Sequence, residues 1–212
     1  MPNSNELKSI FENIYEKKIW NNNDNNIPLS GPGSSLNNTN ELIILLNKFI
    51  YENNCNLILD LGCGDLTWIS QSDFFYDNHI VYTGVDIVKT LINNFNENFD
   101  YKNKNNNFLC KDIVNFIPIH KVSFIILRDV IFHLENDKIL QIFENIRNKF
   151  DFICITSCYN QKNNDNFNKW RFSEKNIHIE PFNISDKYTV KLVEKKFNRN
   201  IYIYEHSNFY QI

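Results

Sequence analysis

Among its 212 residues the chain has no alanine and a single methionine. In their place stand 38 asparagines, with isoleucine and phenylalanine also frequent. Codons rich in A and T produce such a bias, so it reports genome composition rather than function. Runs such as Asn21–Asn23 and Asn105–Asn107 read as polar loops, because apolar periodicity resumes on either side. Positive charge is not in excess: Lys and Arg total 22 against 25 Asp and Glu, a net charge of −3. That is no footprint for a nonspecific nucleic-acid binder, although a local basic groove would still permit RNA modification. The five cysteines, Cys55, Cys63, Cys110, Cys154 and Cys158, include no C-x-x-C pair. This argues against a zinc ribbon or a disulfide framework and for a reducing compartment, with Cys154 and Cys158 as buried thiols on one strand face. No apolar run approaches the roughly 20 residues of a membrane span, and the first residues are polar rather than signal-like. The expectation is a soluble, cytoplasmic protein with no membrane partner.

What is present suffices for a full core: 42% hydrophobic and 15% aromatic residues, which excludes disorder of the whole chain. A first helix is expected from an Asn3 or Ser4 cap to about Trp20, with Leu7, Ile10, Phe11, Ile14 and Tyr15 on one face. The segment Ser30-Gly31-Pro32-Gly33-Ser34-Ser35 is too rich in Gly and Pro for regular structure. Thr39 is expected to cap a second helix. From residue 56 short apolar runs, 57–61, 80–85, 108–110, 122–127 and 152–156, lack alternation, as strands buried on both faces do. Helical patterns near 66–72, 88–98 and 137–149 separate most of them, which is the rhythm of an open α/β sheet. Residues 188–194 and 201–205 are too close in sequence for a parallel crossover and should form an antiparallel hairpin. Residues 159–187 show no periodicity, and a stretch that long is usually functional. The division expected is residues 1–55 as N-terminal helices and a lid loop, packed on a core of 56–212, in one domain overall.

The strongest chemical signal is Ile58-Leu59-Asp60-Leu61-Gly62-Cys63-Gly64-Asp65, a buried strand entering a glycine turn before a helix. Such a turn lets backbone N–H groups approach a ligand closely. The second strand ends in Gly84-Val85-Asp86, 22 positions after Gly64, where a carboxylate can accept both ribose hydroxyls of an adenosine ligand. A dinucleotide site wants a third glycine where Thr67 stands, and no Walker lysine follows Gly64. At this point the chain resembles the class I S-adenosylmethionine-dependent methyltransferases. Asp60–Gly64, Gly84–Ile87 and Leu127-Arg128-Asp129-Val130-Ile131-Phe132-His133-Leu134 are similar to three of their motifs. It resembles more closely a small bacterial-type branch that shares the Ser-Gly-Pro-Gly-Ser-Ser loop, Cys-Gly-Asp-x-x-Trp (Cys63 to Trp68), Trp170-Arg171 and Pro181-Phe182.

The resemblance implies a doubly wound, Rossmann-like seven-stranded sheet of order 3-2-1-4-5-7-6, with its last strand pair antiparallel. It implies S-adenosyl-L-methionine as cofactor, held by Asp60, Gly62 and Gly64 at the methionine end. Asp86 with Ile87 would take the ribose, Asp112 and Ile113 would frame the adenine, and Arg128 would be a further cofactor-binding residue. No metal is required. Asp65 departs from relatives that continue toward a third glycine.

If a helix begins at Arg128-Asp129, Asp129 and His133 share a face, and Asp129 could orient His133 as a base for a substrate hydroxyl. The alternative is that His133 caps or packs the helix. Ser30–Ser35 reads as a lid over the cofactor or as a plain linker. Trp170 and Arg171 suit stacking on a ring and pairing with an anion, or else simply dock their loop. Trp20, Ser30, Gly31, Trp170 and Arg171 are therefore the candidate acceptor-binding residues. The acceptor expected is a small polar molecule, with a sugar or nucleotide-sugar hydroxyl as first choice. RNA modification and a non-catalytic scaffold are the alternatives.

Overall fold

A computed structural model of the chain describes residues 3–97 and 105–210. The chain forms two compact units, Met1–Ile113 and Val114–Ile212.

In the first unit, helix α1 (Ser4–Glu16) begins with a capping box. The Asn3 side chain accepts from the Glu6 N–H while the Glu6 carboxylate accepts from the Asn3 N–H, satisfying two donors left over at a helix start. The helix stops at Glu16 rather than near Trp20, because Lys18 adopts a left-handed conformation (φ 51°). Helix α2 (Leu36–Glu52) starts one turn before the expected cap: Ser35 is the N-cap, and the Thr39 hydroxyl donates back to the Ser35 carbonyl. Its Leu42, Leu46 and Ile50 are buried. Strands β1 (Leu57–Leu61), β2 (Val81–Asp86) and β3 (Asn106–Cys110) pair in parallel, with Asp60 beside Gly84 and Asp86 beside Cys110. Helix α3 (Lys89–Glu97) follows β2, and the expected end of that helix at residue 98 lies outside the described residues. The helix expected at 66–72 is absent. Two short 3-10 turns, Ile69–Gln71 and Asp73–Phe75, occupy that stretch; they bury Phe74 and set Phe75 against the Tyr82 ring at 4.9 Å.

In the second unit, β4 (Val122–Leu127) and β5 (Phe150–Cys158) pair in parallel, connected through helix α4 (Asn136–Asn145). Strands β6 (Val190–Glu194) and β7 (Arg199–Glu205) form the expected hairpin, and β7 runs antiparallel to β5. Asn198, left-handed at φ 51°, closes its turn. The four-residue helix α5 (His206–Phe209) places Phe209 against Phe150 and Phe143. Each such aromatic contributes about 1.5–3 kcal/mol by leaving water.

The seven strands lie in the order β3-β2-β1-β4-β5-β7-β6. This matches the expected topology, including the antiparallel last pair. Cys154 and Cys158 are both buried on β5, and burial pushes the Cys158 thiol up to about 12. Among the described residues no helix is long and apolar enough to cross a membrane.

Candidate functional site

The glycine turn after β1 is built from the backbone outward. Gly62 and Gly64 have φ of 82° and 61°, a region that favours glycine. The Gly62 and Cys63 N–H groups both donate to the Val85 carbonyl, at 2.8 and 3.1 Å. Gly84 answers a separate need: a Cβ there would sit 3.0 Å from Cys63 Sγ and 3.1 Å from Phe108 Cδ1. The turn therefore lies tight against the end of β2, where Asp86 is 8% exposed.

Asp86 Oδ2 accepts from the Gly64 N–H and Oδ1 from the Val88 N–H, both at 3.0 Å, and the Ile87 N–H is a further donor to the carboxylate. Burial raises the Asp86 carboxyl above its ordinary range despite these bonds, with Asp65 adding repulsion. Asp60 is also buried and accepts from the Tyr82 hydroxyl at 2.6 Å. Among the described residues no cation forms an ion pair with Asp65 or Asp86.

Two segments far apart in sequence meet at this turn. Ser30 N–H donates to Asp65 Oδ2 at 2.8 Å, and Asp65 N–H donates to Ser30 Oγ at 3.0 Å. The Tyr15 hydroxyl shares a 2.8 Å hydrogen bond with the same Ser30 oxygen. A Cβ on Gly64 would lie 2.5 Å from Ser30 Oγ and 3.2 Å from the Tyr15 oxygen. Trp20 packs edge-on to Tyr15 at 5.4 Å, and its Cβ lies 3.4 Å from where a Gly31 Cβ would be. So Ser30 and Tyr15 meet Gly64, and Trp20 packs beside them against Tyr15 and Gly31. Tyr15 and Asp65 are the residues sequence reasoning missed as partners: Tyr15 read as a core position, and Asp65 only as a departure from a third glycine.

The helix expected directly after the glycine turn is not there. No α-helix follows the turn, and the Gly64 N–H is committed to Asp86. Ile87 and Asp112 are half-buried and Ile113 buried.

In the second unit, Arg128 and Asp129 stand at the end of β4. The expected shared helix face for Asp129 and His133 is corrected: Asp129 is left-handed (φ 57°), a 3-10 turn covers Ile131–His133, and α4 starts only at Asn136. Asp129 is instead held by arginines, Arg128 at 3.1 Å and Arg199 at 2.8 Å. Glu194 pairs with both, Arg128 at 3.4 Å and Arg199 at 2.5 Å. Burial works against ionisation of Asp129, but Arg128 and Arg199 together hold its carboxyl below the ordinary range. Glu194 and Arg199 are cross-strand neighbours in the hairpin, a placement no local motif announces.

His133 lies half-buried with Nδ1 2.8 Å from the Arg171 carbonyl oxygen. Burial lowers its pKa below the ordinary 6.5, offset in part by that carbonyl and by Asp129. The Arg171 guanidinium is 2.9 Å from Glu135 and stacks over the Phe167 ring at 4.6 Å. Trp170 is 45% exposed, with Lys169 Nζ over its ring at 4.5 Å.

A glycine turn after β1, an acid closing β2 and this sheet order define the fold of the class I methyltransferases. No protein-family model matches the sequence, and no curated protein matches it. Solved structures do. Magnesium protoporphyrin IX methyltransferase ChlM from Synechocystis PCC 6803, with bound S-adenosylmethionine, aligns with a TM-score of 0.63 at 12% identity over 96% of each chain. N-methyltransferase NodS from Bradyrhizobium japonicum WM9, in complex with S-adenosylhomocysteine, gives 0.62 at 12% identity, over 91% of this chain and 98% of that one. The methyltransferase domain of bacterial CtHen1-CN gives 0.55 at 12% identity, over 79% and 98%. At these identities the shared property is the fold.

Proposed function

We propose that this chain is an S-adenosylmethionine-dependent methyltransferase acting on a small polar acceptor. The observation that carries the reading is the first unit's turn: glycines at positive φ, with Asp86 buried at the end of the neighbouring strand. The Asp86 carboxylate, fixed at the strand end by backbone N–H groups, suits two vicinal hydroxyls. Carboxylates at Asp65 and Asp86 without cationic partners also suit a ligand that carries positive charge of its own. Gly62 and Gly64 would lie along its methionine end, with Asp60, and Ile87, Asp112 and Ile113 about its adenosine. Arg128, held between Asp129 and Glu194, acts through the carboxylates it orients.

When bound, the cofactor supplies an electrophilic methyl group, and transfer depends chiefly on placing a nucleophile in line with it. His133 takes the proton of a hydroxyl acceptor, helped by a depressed pKa that keeps the ring neutral near pH 7. Asp129 contributes a carboxylate beside it. A sugar hydroxyl remains the preferred acceptor, supported by the exposed indole of Trp170. The nucleotide-phosphate part has less support, because the Arg171 guanidinium is already paired with Glu135. Membership of the branch with the Ser-Gly-Pro-Gly-Ser-Ser and Cys-Gly-Asp motifs is supported by Ser30 and Asp65, one from each, being bonded to one another.

Calorimetry with S-adenosylmethionine tests the reading first, and absence of binding overturns it. Labelled cofactor incubated with host-cell small-molecule extract then identifies the methylated product.

A further inference from the structure

Residues 168–172 close a tight turn organised by one side chain. Asn168 N–H donates to the Phe172 carbonyl at 3.1 Å, and Arg171 N–H donates to the Asn168 carbonyl at 2.9 Å. Asn168 Oδ1 accepts twice more, from Trp170 N–H at 2.9 Å and Phe172 N–H at 3.0 Å. An amide oxygen with two lone pairs can serve both donors at once. So constrained, Arg171 adopts a left-handed conformation, φ 53°, unusual for a residue with a side chain. Its carbonyl faces His133, 2.8 Å from Nδ1. The next residues add a wall: the Phe172 ring meets the imidazole edge-on at 6.2 Å, and Ser173 N–H donates to the Phe132 carbonyl at 2.8 Å.

We infer that the 168–172 turn is a positioning device for His133, with Asn168 the positioning residue that decides which ring nitrogen carries the proton. A carbonyl oxygen only accepts, so Nδ1 must be the protonated nitrogen and the basic lone pair falls on Nε2. Arg171 then acts through its backbone. Its side chain, tied to Glu135, anchors the turn and is not the source of the contact. The inference rests on the reading of His133 as the proton acceptor, and it deepens that reading by naming what holds the base in its reactive form.

Nitrogen NMR of the imidazole, on the full chain above the His133 titration, tests the device without any acceptor. His133→Gln assigns the signals. The wild type should show a protonated Nδ1 and an unprotonated Nε2. Asn168→Ala should give mixed tautomers, whereas Asn168→Asp, which keeps both accepting lone pairs, should retain the wild-type pattern. Asn168 is exposed, so both variants should fold and bind S-adenosylmethionine with wild-type affinity by calorimetry. With the methylated product of the extract in hand, Asn168→Ala should slow transfer by up to about 10²-fold, the scale of a small misplacement of a reacting group. A proton on Nε2 in the wild type, or an unchanged pattern in Asn168→Ala, overturns the positioning role. A tautomer lost in Asn168→Ala together with full transfer by His133→Gln overturns the base reading instead.

Discussion

In the N-terminal unit, Asp65 and Asp86 are held by backbone N–H groups and by Ser30, and the buried Asp86 is pushed toward its neutral form. In the C-terminal unit, Asp129 and Glu194 are held by Arg128 and Arg199, and Asp129 is kept ionised. Neutral donors bring no countercharge, so the first arrangement leaves its acids without a cation and suited to a ligand that carries one. Two arginines against two acids cancel each other in charge, so the second makes a scaffold of mutually neutralising groups. One region is built to receive donors, the other to hold a shape.

The largest effect should come from breaking the paired region. Arg199→Ala leaves Asp129 and Glu194 buried with one cation instead of two. Loss of one partner of a buried pair costs about 3–5 kcal/mol, to be read as a lowered midpoint in denaturant. A loss below about 1 kcal/mol would mean that solvent already screens the network.

Next in size is Asp86→Ala. Charge-assisted bonds to a ligand are worth about 1.5–3 kcal/mol, so affinity for S-adenosylmethionine should fall about tenfold or more. Stability should change far less than in Arg199→Ala, because the burial that raises the Asp86 pKa already disfavours its charge. Equal affinity in wild type and variant would remove Asp86 from the site.

Acid should separate the two regions. Asp86 has a raised folded pKa, so on acidification it takes up its proton above the ordinary 3.8 without loss of stability from that group. Affinity for the cofactor should therefore decline while the fold persists. Asp129 is the reverse: its contribution is present above 3.8 and is lost only as pH falls through its lower folded value. His133, depressed below 6.5, makes stability begin to fall as pH drops through 6.5, where the unfolded chain takes up the proton first. Transfer to a hydroxyl should rise with pH along a limb centred below 6.5. Titrations of cofactor affinity and thermal midpoint that coincide would contradict this separation.

The smallest effect should be that of Ser30→Ala, which removes the oxygen shared by Tyr15 and Asp65 but keeps the Ser30 N–H on Asp65. A net cost of about 1 kcal/mol is expected, with a weaker hold of the loop on the Gly64 turn. Proteolysis within residues 28–35 should then quicken relative to wild type.

The strands were legible in the chain because buried parallel strands carry their own signal, short apolar runs such as Phe124–Leu127 between helical patterns, whereas their order came from the resemblance to the methyltransferases. The hairpin of β6 and β7 followed from the shortness of residues 195–200. Helix ends were less legible: Lys18 turns left-handed within the stretch expected to stay helical to about Trp20, and Ser35 takes the cap expected of Thr39. The stretch after Gly64 reads as helical, yet it folds as 3-10 turns that bury Phe74 and set Phe75 against Tyr82. Here packing of large rings outweighed a weak local preference.

By itself the sequence determined the strands, their connection and the glycine-turn and acid pair, since periodicity and motif spacing are written in neighbouring residues. Only the tertiary structure decided which charges meet. Asp65 finds Ser30 across 35 residues, Arg128 finds Glu194 across 66, and His133 finds the Arg171 carbonyl across 38. Such pairs have no common period or motif. They depend on where separate loops come to rest once the core has closed, and a buried charge or ring nitrogen must then bond with whatever that closure brings to it.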